Sequence, residues 1–283
     1  MNGAAMNGGH DAGCISDIGR ITGRTRLLGI VGDPIAQVGS PAICNPLIAA
    51  SGTDAVLLPL HVPKADFATA MQGLMRLANL DGLILTVPFK QLVLPFADTV
   101  LPTAALVGAA NTLRRERDGT WSAEMFDGAG LLHALAGLGV AAAGAAVLLL
   151  GAGGAGRAIG VALAQAGVAR LGIHDLDRER AQALAELARR AAPGCAATPA
   201  EPLARGYDVV INATPMGMRP GDDLATPLGP LAGVAAVIDI VTDPPVTTLL
   251  EAARAAGCRT AGGRAMVEGQ ARALLEFFHI MLP

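Results

Sequence analysis

One stretch narrows the folds open to this chain more than any other: Val147-Leu148-Leu149-Leu150-Gly151-Ala152-Gly153-Gly154-Ala155-Gly156-Arg157-Ala158. Four apolar residues read as a buried strand. Gly151, Gly153 and Gly156 then form G-x-G-x-x-G, and Ala158 to Ala166 favours helix before Gly167. Each glycine has a physical task. The first permits a tight turn, the second lets a pyrophosphate approach the backbone, and the third lets helix and strand pack closely. The helix N-terminus offers unpaired N–H groups and a partial positive charge to the phosphates. The next strand, Arg170 to His174, ends at Asp175. An acid about 20 residues past the turn is where a dinucleotide site holds the adenosine ribose hydroxyls. An ordinary tight turn in an alanine-rich chain explains the glycines alone. Strand, turn, helix, strand and acid in this order point to dinucleotide binding.

The rest of the composition sets outer limits. With 283 residues, 52% hydrophobic and 16% charged, the chain can bury a large core in one large or two modest domains. No apolar run reaches the ~18 residues that span a bilayer, so no membrane partner is expected. Met1 to Arg26 lacks the apolar core of a secretory signal and is rich in Gly, Asn and Asp, which predicts a disordered leader over residues 1–26. A net charge of −3 without a basic block argues against nucleic acid as partner. Cys14, Cys44, Cys195 and Cys258 are far apart and read as free thiols of a cytoplasmic protein. The five histidines show no metal-ligand spacing, and no metal is expected.

Upstream of the glycine turn lies a second alternation of strands and helices. Leu27 to Gly32 reads as a strand, followed by a turn-rich loop through Gly39-Ser40-Pro41 and a helix to Ser51. Ala55 to Leu60 is a strand, and Lys64 to Ala78 a helix with Phe67, Met71, Leu74 and Met75 on its apolar face. Asp81 to Pro88 is a third strand. The pattern predicts an α/β unit with a mainly parallel sheet. Beyond the turn, Tyr207 to Asn212 and Ala235 to Ile240 read as strands. Asp177 caps a helix to Arg190, Thr248 to Ala256 is a helix, and Gly269 to Met281 closes the chain with Leu274, Leu275, Phe278 and Met281 on its apolar side.

Three short motifs of the first unit carry polar residues where ligand sites form. Thr86-Val87-Pro88-Phe89-Lys90 ends a strand in a proline turn that presents a lysine. Gly108-Ala109-Ala110-Asn111-Thr112-Leu113 is another turn, entering a strand, with an amide on it. Phe126-Asp127-Gly128-Ala129-Gly130 sets an aspartate ahead of a helix. Singly, Lys90 reads equally as a solvated lysine, Asn111 as a turn former and Asp127 as a helix cap.

In this order, ahead of a dinucleotide turn, the motifs resemble the shikimate dehydrogenase family. The resemblance runs from about Leu28 to the C-terminus. It also takes in Gly32-Asp33-Pro34-Ile35 with Ser40-Pro41, Asn212-Ala213-Thr214-Pro215-Met216-Gly217-Met218, and Gly263 with Met266 to Gln270. It implies an α/β fold in which an N-terminal α/β substrate domain meets a Rossmann-type doubly wound nucleotide-binding domain, with the site in the cleft between them. The expected boundaries are 27–126 for the substrate domain, completed by 263–283, and 127–262 for the nucleotide domain. The implied activity is reversible oxidation of a secondary alcohol on a hydroxylated cyclic acid. Lys90 would be the general acid/base and Asp127 its partner. Ser40, Thr86, Asn111, Thr242 and Gln270 match substrate-binding positions. Gly151, Ala152, Gly153, Gly154, Ala155, His174, Asp175, Thr214, Met216, Ile240 and Gly263 match cofactor-binding positions. The cofactor carries the hard chemistry. The partner is a small molecule, and the protein is expected as a monomer or homodimer.

The departures from the family pattern carry information of their own. The family's Ser-x-Ser, which grips the substrate carboxylate, is here Val38-Gly39-Ser40. Its Asn-Thr-Asp-Gly is Met125-Phe126-Asp127-Gly128, and a family tyrosine aligns with Thr242. Losing a hydrogen bond to a charged group costs ~1.5–3 kcal/mol, about 10- to 150-fold in binding. Shikimate itself is therefore expected to be a poor substrate, with a related alcohol bearing a different or less polar substituent preferred. Members that use NADP carry Asn-Arg-Thr where this chain has His174-Asp175-Leu176. Asp175 would repel a 2′-phosphate and accept from a bare ribose diol, so NAD is expected over NADP. Arg178 and Arg180 are the cations that could oppose this. Two alternatives remain: an NAD-dependent quinate/shikimate dehydrogenase of catabolism, and a nucleotide-binding regulator or sensor without turnover.

Overall fold

The computed structural model describes residues 21–219, 221–222 and 228–283. Residues 1–20 of the expected leader, with Cys14, lie outside them. Arg26, expected to end that leader, is instead the first residue of a strand. Its guanidinium pairs with the carboxylate of Asp81 on a neighbouring strand.

The first sheet is six-stranded, in the order β2-β1-β3-β5-β6-β4. Its strands are β1 (Arg26–Gly32), β2 (Ala55–His61), β3 (Leu80–Leu85), β4 (Thr99–Val100), β5 (Thr112–Arg115) and β6 (Trp121–Glu124). β2, β1 and β3 are parallel, as crossover helices require, with α1 (Ser40–Ala50) and α2 (Phe67–Leu74) as the connections. The expected helix from Lys64 to Ala78 is thus shorter, a 3-10 turn over Lys64–Asp66 leading into α2. The expectation of a mainly parallel sheet missed a hairpin: β5 runs antiparallel to both β3 and β6. Its signal was legible. Asp118-Gly119 sits between two short runs, Gly119 has φ +89°, and Asp118 accepts from the N–H and hydroxyl of Thr120.

The second sheet is also six-stranded, ordered β12-β11-β10-β7-β8-β9, with every pair parallel. Its strands are β7 (Ala146–Leu150), β8 (Arg170–His174), β9 (Ala196–Pro199), β10 (Val209–Asn212), β11 (Ala236–Asp239) and β12 (Arg259–Ala261). This is the doubly wound order, which reverses between β7 and β10 and opens a crevice at the carboxyl ends of those strands. β7 and β10 are buried and, but for Asn212 at the end of β10, apolar, as expected of strands covered on both faces. α5 (Gly154–Gln165), α6 (Arg178–Ala191) and α7 (Thr248–Ala255) make the crossovers, with Asp177 capping α6 and Thr247 capping α7 through their side chains.

Two further helices join the sheets. α4 (Asp127–Gly137) lies between α5 and α8 (Gly263–Phe277). The approach is close enough to require glycine. A Cβ on Gly128 would stand 2.6 Å from the Cβ of Ala162 on α5, and one on Gly130 2.5 Å from the carbonyl of Met266 on α8. α8 starts at Gly263 rather than Gly269 and ends before Met281. Leu274, Leu275 and Phe278 are buried as expected, but Met281 is 74% exposed, because the helix has already turned away. That turn is a Schellman motif: Ile280 N–H donates to Leu275 O and His279 N–H to Glu276 O, with His279 left-handed at φ +62°. A side chain at such a residue costs about 1–2 kcal/mol, partly offset by the entropy that glycine loses. His279→Gly is expected to raise the urea midpoint by an amount worth about 0.5–1 kcal/mol. An unchanged midpoint would show that the histidine is not strained there.

Cys44, Cys195 and Cys258 are free and buried, and burial pushes the Cys44 thiol up to about 12. Among the described residues no helix is long and apolar enough to cross a membrane.

Candidate active site

The site forms where β3 ends. Thr86 closes the strand, its N–H donating to Val31 O, and Phe89 N–H donates back to Thr86 O to make the turn. Phe89 is fully buried and stacks on Phe67 with ring centroids 4.1 Å apart. The aromatic stack anchors the turn and leaves the next residue, Lys90, at the sheet edge. The β5–β6 hairpin supplies the second wall. Asn111 precedes β5, its N–H donates to Glu124 O, and its Oδ1 accepts from Phe126 N–H and the Thr112 hydroxyl. Those contacts fix the amide with Nδ2 turned towards Asp127.

Four expected residues meet in one hydrogen-bonded cluster. Lys90 Nζ donates to Asp127 Oδ2 at 2.5 Å. Asn111 Nδ2 donates to Asp127 Oδ1 and to Gln270 Oε1, both at 2.9 Å. The Asp127 side chain is 2% exposed and that of Lys90 15%, so the pair is desolvated but open on the lysine side. Asp127 does not cap α4. The cap is Phe126, and the carboxylate of Asp127 is used by Lys90 and Asn111. A desolvated ion pair is costly to build unless its remaining hydrogen-bonding positions are filled; here Asn111 donates to the second carboxylate oxygen, and Gln270 in turn holds Asn111.

The other expected substrate positions are less uniformly gathered. Ser40 opens α1 and is buried. Thr86 packs its methyl towards Gly32, where a Cβ would stand 2.5 Å from it. The Thr242 hydroxyl donates to Gln37 O at 2.8 Å, so it ties the loop after β11 to the loop that carries Val38. Phe126 leans on Phe277 of α8 at 5.5 Å.

On the nucleotide side, Gly151 has φ +97°, and a Cβ on Gly156 would stand 2.0 Å from Gly151 O. Only glycine permits that crossing of helix and turn. Gly153 caps α5 with open space beside it, and Ala152 N–H donates to Asp175 Oδ2 at 2.7 Å. The turn, the helix N-terminus and the acid thus converge at one place, an arrangement that could hold a dinucleotide. His174 sits beside Asp175, its ring against Ala200 O at 3.3 Å. Arg180 pairs with Asp177 at 3.3 Å. Thr214 and Met216 lie on the loop after β10, where Asn212 Oδ1 accepts from the Thr214 N–H and hydroxyl and Met216 N–H donates to Thr214 Oγ1. Ile240 and Gly263 touch across the end of β11, where a Cβ on Gly263 would stand 2.3 Å from Ile240 O.

Sequence reasoning missed Asp239, which is fully buried at the end of β11. It accepts from Thr247 Oγ1 at 2.6 Å, Asn212 Nδ2 at 3.0 Å and Val241 N–H at 3.1 Å. Burial pushes its carboxyl above the usual range, against those hydrogen bonds. It holds together the loops that carry Thr214, Met216 and Thr242. Two cavities, of about 510 Å³ beside Arg26 and His279 and about 440 Å³ between α4 and α5, are not lined by Lys90. Among the described residues no group of three His, Cys, Asp or Glu is placed to hold a metal.

Residues 30–113 match the model of the shikimate dehydrogenase substrate binding domain. Over 266 residues the chain is 40% identical to the shikimate dehydrogenase (NADP(+)) of Symbiobacterium thermophilum, covering 90% of each. It is similar to the shikimate 5-dehydrogenase of Listeria monocytogenes, solved in complex with shikimate and NAD, at TM-score 0.78 and 31% identity over 93% of this chain and 95% of that one. The quinate dehydrogenase of Corynebacterium glutamicum in complex with NAD gives TM-score 0.76 and 33% identity, covering 92% and 95%. The ligand-free 5-ketofructose reductase of Gluconobacter sp. strain CHM43 gives 0.77 and 30%, also covering 92% and 95%.

Proposed function

The chain belongs to the shikimate dehydrogenase family, and from that premise we propose that it oxidises a secondary alcohol of a shikimate- or quinate-like compound, reversibly, with Lys90 and Asp127 as the proton-transfer pair. It is an NAD(P)-dependent oxidoreductase acting on a CH–OH group. The observation that carries the proposal is the contact of Lys90 Nζ with Asp127 Oδ2 at 2.5 Å beside the glycine turn. A regulator without turnover has no use for a desolvated lysine–carboxylate pair. In this reading residues 27–126 with 263–283 make the substrate side and 127–262 the nucleotide side.

As the neutral amine, Lys90 takes the hydroxyl proton while the alcohol becomes a carbonyl and so becomes the ammonium; in the reverse direction the ammonium returns the proton. Asp127 holds the ammonium and accepts from a second substrate hydroxyl. Asn111 fixes the carboxylate and Gln270 fixes Asn111, both offer further contacts to ring hydroxyls, and Thr86 and Ser40 bound the rest of the pocket. The nicotinamide nucleotide supplies the hydride acceptor. Gly151 to Ala155 and the first turn of α5 hold its phosphates, Asp175 and His174 its adenosine ribose, and Thr214, Met216, Ile240 and Gly263 its nicotinamide half.

We propose NAD as the preferred nucleotide. The supporting observation is the Asp175 carboxylate against the glycine turn, 2.7 Å from Ala152 N, where a 2′-phosphate would meet like charge. The name of the Symbiobacterium relative specifies NADP(+), and Arg178 and Arg180 are the residues through which this chain could accept it. Arg180 is already engaged by Asp177. The expected kcat/KM is at least about tenfold higher with NAD. Absorbance at 340 nm with shikimate or quinate and each nucleotide in turn tests this, and an advantage for NADP would overturn it.

The remodelled wall, with Val38 and Phe126 apolar and the Thr242 hydroxyl committed to Gln37 O, supports a substrate with a weaker demand for carboxylate contacts than shikimate. Val38→Ser is expected to improve kcat/KM for shikimate by about tenfold or more. Wild-type turnover of shikimate as rapid as quinate, unchanged by that substitution, would remove this part of the reading.

A further inference from the structure

Arg157 belongs to the first turn of α5, the helix whose N-terminus faces the dinucleotide cradle. Its side chain does not point along its own sheet. The Nε donates to Val107 O at 2.7 Å, fifty residues earlier in the chain. Val107 is the last residue of α3 (Pro102–Val107), and Gly108 follows as its left-handed cap at φ +69°. The last carbonyls of a helix have no partner within it and carry partial negative charge, so a guanidinium there is doubly suited. A Cβ on Gly108 would lie 3.3 Å from the Arg157 guanidinium, which shows how closely that group is seated.

Two residues beyond the cap, Ala110 N–H donates to Lys90 O at 2.8 Å, and Asn111 comes next. The same turn of α5 also touches Lys90 directly. A Cβ on Gly154 would stand 2.9 Å from Lys90 Cβ. The cofactor helix thus meets the chain segments bearing Lys90 and Asn111 at two points, one through packing and one through a charged hydrogen bond. Charged hydrogen bonds are short and directional, so the second point sets geometry as well as proximity.

We propose that Arg157 is a positioning residue that fastens the nucleotide-binding turn to the Gly108–Asn111 segment, so that occupation of the turn is transmitted to Lys90 and Asn111. The proposal rests on the reading of Lys90 and Asp127 as the proton-transfer pair. Misplacing such a group by about 1 Å costs up to about 100-fold in rate.

The test is hydrogen exchange of the full chain, with and without saturating NAD or NADP, in wild type, Arg157→Met and Arg157→Lys. In wild type, nucleotide should slow exchange at the amides of 108–111. Arg157→Met should still bind nucleotide by calorimetry but lose that slowing, with kcat on shikimate or quinate down about 10- to 100-fold. Arg157→Lys should recover part of both. Should Arg157→Met not fold, Arg157→Gln takes its place. Slowing that persists in the variant, or wild-type amides indifferent to both nucleotides, would overturn the proposal. Lys90→Met is assayed in parallel. If it still forms NADH the proton-transfer reading fails, whereas the exchange result continues to report on Arg157 by itself.

Discussion

Lys90→Met should lower kcat by about 10²- to 10⁴-fold, the range that a positioned acid/base supplies. The affinity for NAD should stay within about threefold of wild type, because the lost group acts on the alcohol rather than on the nucleotide. Methionine keeps the unbranched stem that packs on Gly154 and removes only the ammonium that donates to Asp127 Oδ2. Single-turnover NADH formation at 340 nm, with nucleotide binding followed separately, makes the comparison. A variant that keeps its kcat would mean that the proton leaves by another route. A variant that loses NAD binding as well would mean that Lys90 supports the glycine turn instead. A sensor without turnover would show no kcat in either protein, with nucleotide binding intact.

Asp127→Ala should have two effects that separate in different assays. It removes the acceptor of both Lys90 Nζ and Asn111 Nδ2 from a site where the carboxylate is 2% exposed. Removing one partner of a buried pair costs about 3–5 kcal/mol. The low end applies here, since Lys90 is 15% exposed and can turn to water. The urea midpoint should fall accordingly. Turnover should fall beyond any loss of folded protein, by about 10- to 150-fold, which corresponds to a charge-assisted hydrogen bond of about 1.5–3 kcal/mol. Asp127→Asn keeps the shape and separates the two effects: stability should return in part while turnover stays low. Normal kcat in either variant would assign Asp127 a purely structural role.

How far the chain could be read in advance differs from one element to the next. The strand ending at Leu150, the glycine turn and Asp175 lie within one short span, so local pattern was enough. The turn has its expected form because a Cβ on Gly156 would collide with Gly151 O. The lysine at Lys90 was visible as a strand-end residue, but its neighbours were not. Asn111 reaches Gln270 across 159 positions, and no periodicity links two such residues. The resemblance to a family supplied their association, and the structure supplied the bonds. The β5–β6 hairpin was missed although Asp118-Gly119 announced it, because its flanking runs are short and charged. Asp239 reads in the sequence only as part of a strand, since nothing in its neighbourhood says that three donors converge on it.

The sequence by itself determined the α/β class, the glycine turn, the strand–helix alternation on either side of it and the identity of the polar residues at strand ends. Those features follow from periodicity and from the steric demands of glycine, which act over a few residues. Only the tertiary structure decided that Asp127 faces Lys90 rather than capping α4, that Thr242 spends its hydroxyl on Gln37, and that Arg157 leaves its own helix for the end of α3. A polar side chain removed from water takes the partner that packing brings within about 3 Å. That partner is chosen by the close approach of α4, α5 and α8, which depends on the whole fold rather than on any local stretch.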